Sequence, residues 1–247
     1  MGEKVEVFGA WFSPFSRRVE LGLKLKGIEY DYIEEEEPLH PQIQPCLQEG
    51  PVFVHGGKPI ADSILILHYI DDTWKDNPIL PQHPYHKALA LFWPNFLDGK
   101  VLGAMIKATS RQGKEKEEAI AEVCEALKTL EDELKGKRFF GGDTLGFVDI
   151  VANFVAYWIP AIEEGFGFDG ALSSEMEKLP NLRRWCNEFV EQNQCCFQMI
   201  MLAWIFTKFK ISNTLFVFFG YLIIFKKFSI ILNCVLLECF ESVILTL

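Results

Sequence analysis
The sequence has no cluster of basic residues: Asp and Glu outnumber Lys and Arg 34 to 24, and the formal net charge is −10. Binding to a nucleic-acid backbone needs grouped cations to neutralise phosphates, so nucleic acid is excluded as an expected partner. Paired metal-type cysteines are also missing. The seven cysteines, Cys46, Cys124, Cys186, Cys195, Cys196, Cys234 and Cys239, are odd in number and have no two-residue spacing suited to zinc or a redox pair. They read as reduced thiols, and no metal is expected. The chain opens Met1-Gly2-Glu3-Lys4 with no apolar leader of signal-peptide length, so export is not expected and the cytoplasm is the expected compartment. Glu6 stands where a myristoylation signal wants Ser or Thr, which discards that reading of Gly2.

What is present is a change of pattern along 247 residues, enough for a large buried core without disulfides. Residues 5–10 read as a short buried strand, residues 16–26 as a helix closed by Gly27, and residues 30–34 as a second strand. Strand, helix and strand within so short a stretch favour a parallel pair. A third apolar run, residues 51–55, turns through Gly56-Gly57 into residues 58–60, and Asp62-Ser63 then caps a helix bearing Ile64, Leu65, Leu67 and Ile70. An α/β domain is expected over residues 1–74, and the Pro-, Asn- and Asp-rich residues 75–84 read as a linker. Residues 85–190 carry helical spacing throughout, over 88–107, 114–135, 147–159 and 179–190. Asp149 stands three places after Gly146 as a helix-start carboxylate, with Leu145 placed to staple onto Ile150.

Several segments go further than pattern. Ser13-Pro14-Phe15-Ser16-Arg17-Arg18-Val19, Leu23-Lys24-Leu25-Lys26-Gly27, Gly57-Lys58-Pro59-Ile60 with Asp62-Ser63, Tyr69-Ile70-Asp71, Pro78-Ile79-Leu80-Pro81 and Phe140-Gly141-Gly142-Asp143 with Asp149 resemble the tau-class glutathione transferases of plants in order and spacing. The resemblance covers roughly residues 4–190. It implies a thioredoxin-like α/β N-terminal domain followed by an all-α C-terminal domain, usually paired as a homodimer. It implies conjugation of glutathione, as co-substrate rather than cofactor, to hydrophobic electrophiles in detoxification and stress response.

The chemistry at issue is thiol activation. Glutathione attacks as the thiolate, and a free thiol with a pKa of about 8.5 is mostly protonated at neutral pH. On the residues alone Ser13 reads equally well as a helix cap before Pro14; the resemblance makes it the catalytic hydroxyl, donating to sulfur at a helix N-terminus. Asp62 and Ser63 stand where the family holds the γ-glutamyl end, with Asp62 one methylene shorter than the usual Glu, and they can cap the helix as well. Phe15, Glu49 and Gly50 complete the expected glutathione site, beside Pro51 in the place of the family's cis-proline. Phe15, Leu102, Ile106, Thr109 and Trp158 lie where the family lines its second-substrate pocket, although residues of this kind at helical spacing are also ordinary core.

Two stretches depart from the family. Residues 44–51 read Gln-Pro-Cys-Leu-Gln-Glu-Gly-Pro, which a family-like peptide yields when its codons are read one base out of frame, and this puts Glu49 where a Lys is expected and Gly50 where Val or Ile is expected. A carboxylate there faces the anionic glycine end of glutathione and repels it. Residues 191–247 form an aberrant tail rich in Phe, Ile, Leu, Asn and Lys, nearly all apolar over 215–225. Translated intron or downstream sequence, a membrane anchor over 211–237 interrupted by Lys226 and Lys227, and an extra core helix remain open for it. The alternative to an active transferase is a catalytically weak or inactive ligand-binding relative, and membrane association is expected only through the tail.

Overall fold
The computed structural model describes residues 3–10, 13–34, 50–166, 168 and 170–193. They all belong to one compact unit, Met1–Ala203; a second unit, Trp204–Leu247, and with it the expected membrane span, lies outside them. So do Glu49 and the rest of the family-unlike stretch before Gly50, for which a frame slip is the expectation.

Alternating buried and part-buried side chains make Val5–Gly9 the strand β1. Helix α1 follows at Pro14–Lys26, then β2 at Asp31–Glu34, β3 at Val52–His55, β4 at Lys58–Ala61 and α2 at Ser63–Thr73. The sheet order is β2-β1-β3-β4, with β1 parallel to β2 and antiparallel to β3, and β3 antiparallel to β4. The parallel pair expected from the spacing is present. Val5, Val7 and Phe53 from the sheet pack on Val19 and Leu23 of α1 and on Ile66 and Ile70 of α2. Each such buried side chain contributes roughly 1.5 to 3 kcal/mol.

Gly27 terminates α1 in the left-handed region at φ 67°, where its N–H meets the carbonyls of Leu23 and Lys24. Lys26, in the last turn, is buried and reaches the Asp71 carboxylate at 2.6 Å and the carbonyl of Trp74 at 2.6 Å. Asp71 in turn accepts from the backbone N–H of Ile79 and Leu80, so one ion pair fixes the exit from α2.

The rest of the described chain is helical: α3 Pro84–Phe96, a π-helical turn Leu97–Leu102, α4 Gly103–Ser110, α5 Lys114–Glu133, α6 Phe147–Val151, α7 Asn153–Phe166, α8 Ala171–Glu177 and α9 Pro180–Gln192. Its core is built on Phe147, Phe154, Tyr157, Trp185 and Phe189, and it extends to Leu21 of α1 and Leu67 of α2. The two helices of the α/β half therefore face the sheet on one side and the helical half on the other. Among the described residues no helix is long and apolar enough to cross a membrane.

Two expected helices are broken. The single helix read over 88–107 is split, because Pro94 inside α3 has no N–H to give and its ring crowds the preceding turn; three residues later the ladder slips to π spacing, with Gly103 N–H bonding Asp98 O. The helix read over 147–159 breaks at Ala152, where the Asn153 side chain bonds Ile150 O in competition with the backbone ladder. Helix α8 lies outside the helical segments read from the sequence; its N-terminal N–H groups are held by the Glu163 carboxylate, a partner contributed by α7. Asp149 behaves as the spacing suggests, accepting from Gly146 N–H at 2.9 Å, and it also collects the N–H of Phe140, Gly141 and the Trp185 indole.

Candidate active site
The site begins with how α1 starts. Ser13 has extended backbone angles, φ −79° and ψ 124°, as a residue before proline must, and Pro14 occupies the first helical position where its missing N–H is no loss. The Ser13 hydroxyl oxygen accepts from Ser16 N–H at 3.3 Å. That bond uses a lone pair and leaves the hydroxyl proton free to donate. The positive end of the α1 dipole adds favourable potential for an anion at the same place.

The second helix start is more heavily bonded. Asp62 adopts φ 76°, a region L-residues avoid, and its Oδ1 accepts from Ile64 N–H at 2.7 Å and Leu65 N–H at 3.2 Å. Ser63 is buried behind it, and its Oγ accepts from Arg18 at 3.3 Å.

Arg18 joins the two starts. Its side chain is fully buried, forms an ion pair with Asp98 on the π turn (Nη1 to Oδ2, 3.0 Å), donates to Val151 O at 3.1 Å, and has its guanidinium 4.9 Å from the centre of the Phe15 ring. The π slip thus presents a carboxylate to a cation that would otherwise be buried without a counter-charge. Arg18, although part of the motif that carries the resemblance, and Asp98 are not among the candidate site residues read from the sequence, and neither is Asn153, which donates to Pro14 O at 3.2 Å. A signal for Arg18 was available: it stands three before Leu21, on the α1 face that enters the helical core.

The structure places the other candidates as follows. Phe15 is part-buried in the first turn of α1. Gly50 has φ 132°, and a Cβ built on it would come within 4.0 Å of the Phe15 side chain, so this segment adjoins the start of α1. That backbone conformation is one a valine would not adopt without strain, and it differs from the extended form a strand-like pairing uses. Leu102 ends the π turn and packs partly against the core, Ile106 on α4 is 58% exposed, and Thr109 donates to Ile106 O. Trp158 on α7 is part-buried, and its indole N–H has no partner among the described residues. Among the described residues no hydrogen bond, ion pair or ring contact joins Leu102, Ile106 or Thr109 to Ser13 or to Trp158.

A cavity of about 500 Å³ between α7, α8 and α9 is lined by Val155, Ile159, Met176, Arg183, Cys186 and Val190 among others, and contains none of the candidate residues in its described wall. Burial pushes the Cys186 thiol up to about 12, and burial together with Glu175 raises that of Cys124, so these two thiols are held protonated. Among the described residues no group of three or more His, Cys, Asp or Glu is arranged to hold a metal ion.

The glutathione S-transferase N-terminal domain model matches residues 3–72 and the glutathione S-transferase C-terminal domain model matches residues 92–193. A probable glutathione S-transferase of Nicotiana tabacum is 47% identical over 195 residues, covering 77% of this chain and 86% of its own length. Glutathione S-transferase U8 of Arabidopsis thaliana is 45% identical over 197 residues, covering 77% and 87%. Among solved structures, the tau-class glutathione S-transferase of mango, Mangifera indica, has a TM-score of 0.70 at 32% identity, covering 81% of this chain and 97% of its own. Rice GST1 in complex with glutathione has a TM-score of 0.72 at 28% identity, covering 85% and 99%. By family models that span most of the described residues, and by relatives alike in sequence and in three dimensions, the chain belongs to the glutathione S-transferases and, within them, to the plant tau class.

Proposed function
We propose that this chain transfers glutathione, as thiolate, to hydrophobic electrophiles, with the Ser13 hydroxyl donating to the sulfur. The observation that carries the reading is the Ser13 cap: its oxygen accepts from Ser16 N–H, so its proton is left to donate, and it stands part-buried at a helix N-terminus that favours negative charge. At the second helix start, Ser63 accepts from Arg18 and so keeps its own hydroxyl proton for a carboxylate, while Asp62 bonds the backbone through Oδ1 and leaves Oδ2 for an ammonium. These are the complements of a γ-glutamyl amino-acid end. In this reading Phe15 and Gly50, which adjoin each other, serve the cysteinyl part of glutathione, and Leu102, Ile106, Thr109 and Trp158 serve the second substrate; Glu49, assigned to the glycine end, lies outside the described residues. The reaction needs no cofactor in this scheme.

The test is conjugation to an aryl halide alongside retention on glutathione-agarose. Wild-type turnover that is lost in Ser13→Ala, with retention preserved, supports the reading; equal turnover in both removes it. The conformation of Gly50 favours a second reading, a weak or inactive relative that binds glutathione poorly, because φ 132° does not offer the extended backbone a peptide ligand would pair with. Absence of retention by wild type would select that reading.

Pairing as a homodimer is the proposed assembly. Tyr85, Leu89 and Phe92 form an exposed apolar stripe on α3, which as a monomer surface would lie against water. Light scattering on the eluting protein reads the mass directly. The cytoplasm is the proposed compartment, and cell fractionation tests it.

A further inference from the structure
Asn153 is the first residue of α7 and is fully buried. Its Nδ2 donates to Ile150 O at 2.9 Å and, across 139 residues of chain, to Pro14 O at 3.2 Å. Its Oδ1 meets no partner among the described residues. As a stabilising device this is poor, because burying an unsatisfied acceptor is unfavourable and an apolar side chain of similar shape would avoid it. What the amide does supply is position. Pro14 directly follows Ser13 and opens α1, whereas α7 carries Trp158, assigned above to the second-substrate side. One hydrogen bond therefore ties the residue after the activating serine to the helix that faces the electrophile.

We propose that Asn153 is a positioning residue, holding the start of α1 against α7 so that the glutathione sulfur and the electrophile meet at reactive distance. The proposal rests on the Ser13 reading. It differs from thiol activation: Asn153 acts on where the thiolate sits relative to its target, and Ser13 on whether the thiolate forms.

The experiment compares Asn153→Leu and Ser13→Ala with the wild-type full chain. It measures the thermal midpoint, the pKa of bound glutathione from thiolate ultraviolet absorbance, and kcat with both glutathione and an aryl halide saturating. Asn153→Leu is expected to hold or raise the midpoint, leave the bound-thiol pKa at the wild-type value and lower kcat about tenfold, since a misplacement of about 1 Å can cost up to roughly a hundredfold. A wild-type kcat, a shifted thiol pKa, or a kcat loss matched by a lower midpoint each overturns the proposal. If the leucine variant does not fold, Asn153→Ala is read by kcat per glutathione-binding site, and a wild-type value there overturns it equally. Failure of the serine reading shows separately, as a Ser13→Ala variant whose bound thiol titrates like wild type.

Discussion
The two helix starts of the α/β half both carry an oxygen-bearing cap, and they differ in how much of that oxygen is committed. Ser13 has relaxed extended angles and gives up one lone pair to a 3.3 Å bond, keeping its proton. Asp62 stands at φ 76° and commits Oδ1 to two backbone N–H groups. A conformation of that kind costs on the order of 1 to 3 kcal/mol, and the capping bonds offset about 1 kcal/mol of it. The relaxed cap has chemical capacity left over; the strained one is fixed in place and serves as a stationary charge. Arg18 lies between them, bonded to Ser63 on one side and stacked near Phe15 on the other.

The largest effect comes from breaking the link. Asp98→Ala would leave the Arg18 guanidinium fully buried with only neutral acceptors, and loss of one partner from a buried pair is expected to lower stability by about 3 to 5 kcal/mol. Arg18→Ala should be milder, because the Asp98 carboxylate left behind is 32% exposed and stays partly solvated. Chemical denaturation of the two variants gives the order. If Arg18→Ala proved the more damaging, the arginine's hydrogen bonds to Ser63 and Val151 and its guanidinium over the Phe15 ring would outweigh the loss of the counter-charge.

Next is the relaxed cap. Ser13→Ala removes the donor to sulfur and should cut kcat/KM at neutral pH about a hundredfold, equivalent to roughly two units in the bound-thiol pKa or about 2.7 kcal/mol. The rate should recover as pH rises, because the thiolate then forms without help. A pH–rate profile parallel to wild type, merely lower, would place the activation elsewhere. The loss of the cap itself should lower stability by about 1 kcal/mol.

Why the sequence showed the caps and not the link follows from distance along the chain. Ser13-Pro14, Asp62-Ser63 and Gly146 to Asp149 are signals completed within a few residues, and so are Gly27 and the alternation of β1. Arg18 and Asp98 are 80 residues apart, and Asn153 and Pro14 are 139 apart; no local pattern records such a meeting. Pro94 was visible, but helical spacing persisted on both sides of it, so the π slip that aims Asp98 was hidden by the very periodicity that marked the helix. Family likeness supplies roles for Asp62 and Ser63; that Ser63 accepts from a buried arginine is legible only in the fold.

Smaller effects test the strained cap. Asp62→Asn keeps an acceptor of the same shape and a residue that tolerates positive φ, so stability should change by less than about 1 kcal/mol. What it loses is charge. The KM for glutathione is expected to rise about five-fold with kcat little changed, about 1 kcal/mol of binding to the γ-glutamyl ammonium. A KM equal to wild type would make Asp62 a cap and nothing more.

Asp62→Gly should do least to the fold, because three terms nearly cancel. Glycine relieves the strain at φ 76°, which is favourable. It forfeits the side-chain bonds to Ile64 and Leu65, though glycine as a helix cap is only a few tenths of a kcal/mol poorer than aspartate. It also widens the unfolded ensemble, which costs about 0.4 to 1 kcal/mol. The expected net is within about 1 kcal/mol of zero, while the glutathione KM rises as in Asp62→Asn. A destabilisation of several kcal/mol would mean that the carboxylate holds the start of α2 more strongly than its strain opposes it, and the contrast with Ser13 would then be one of anchoring rather than of spare chemical capacity.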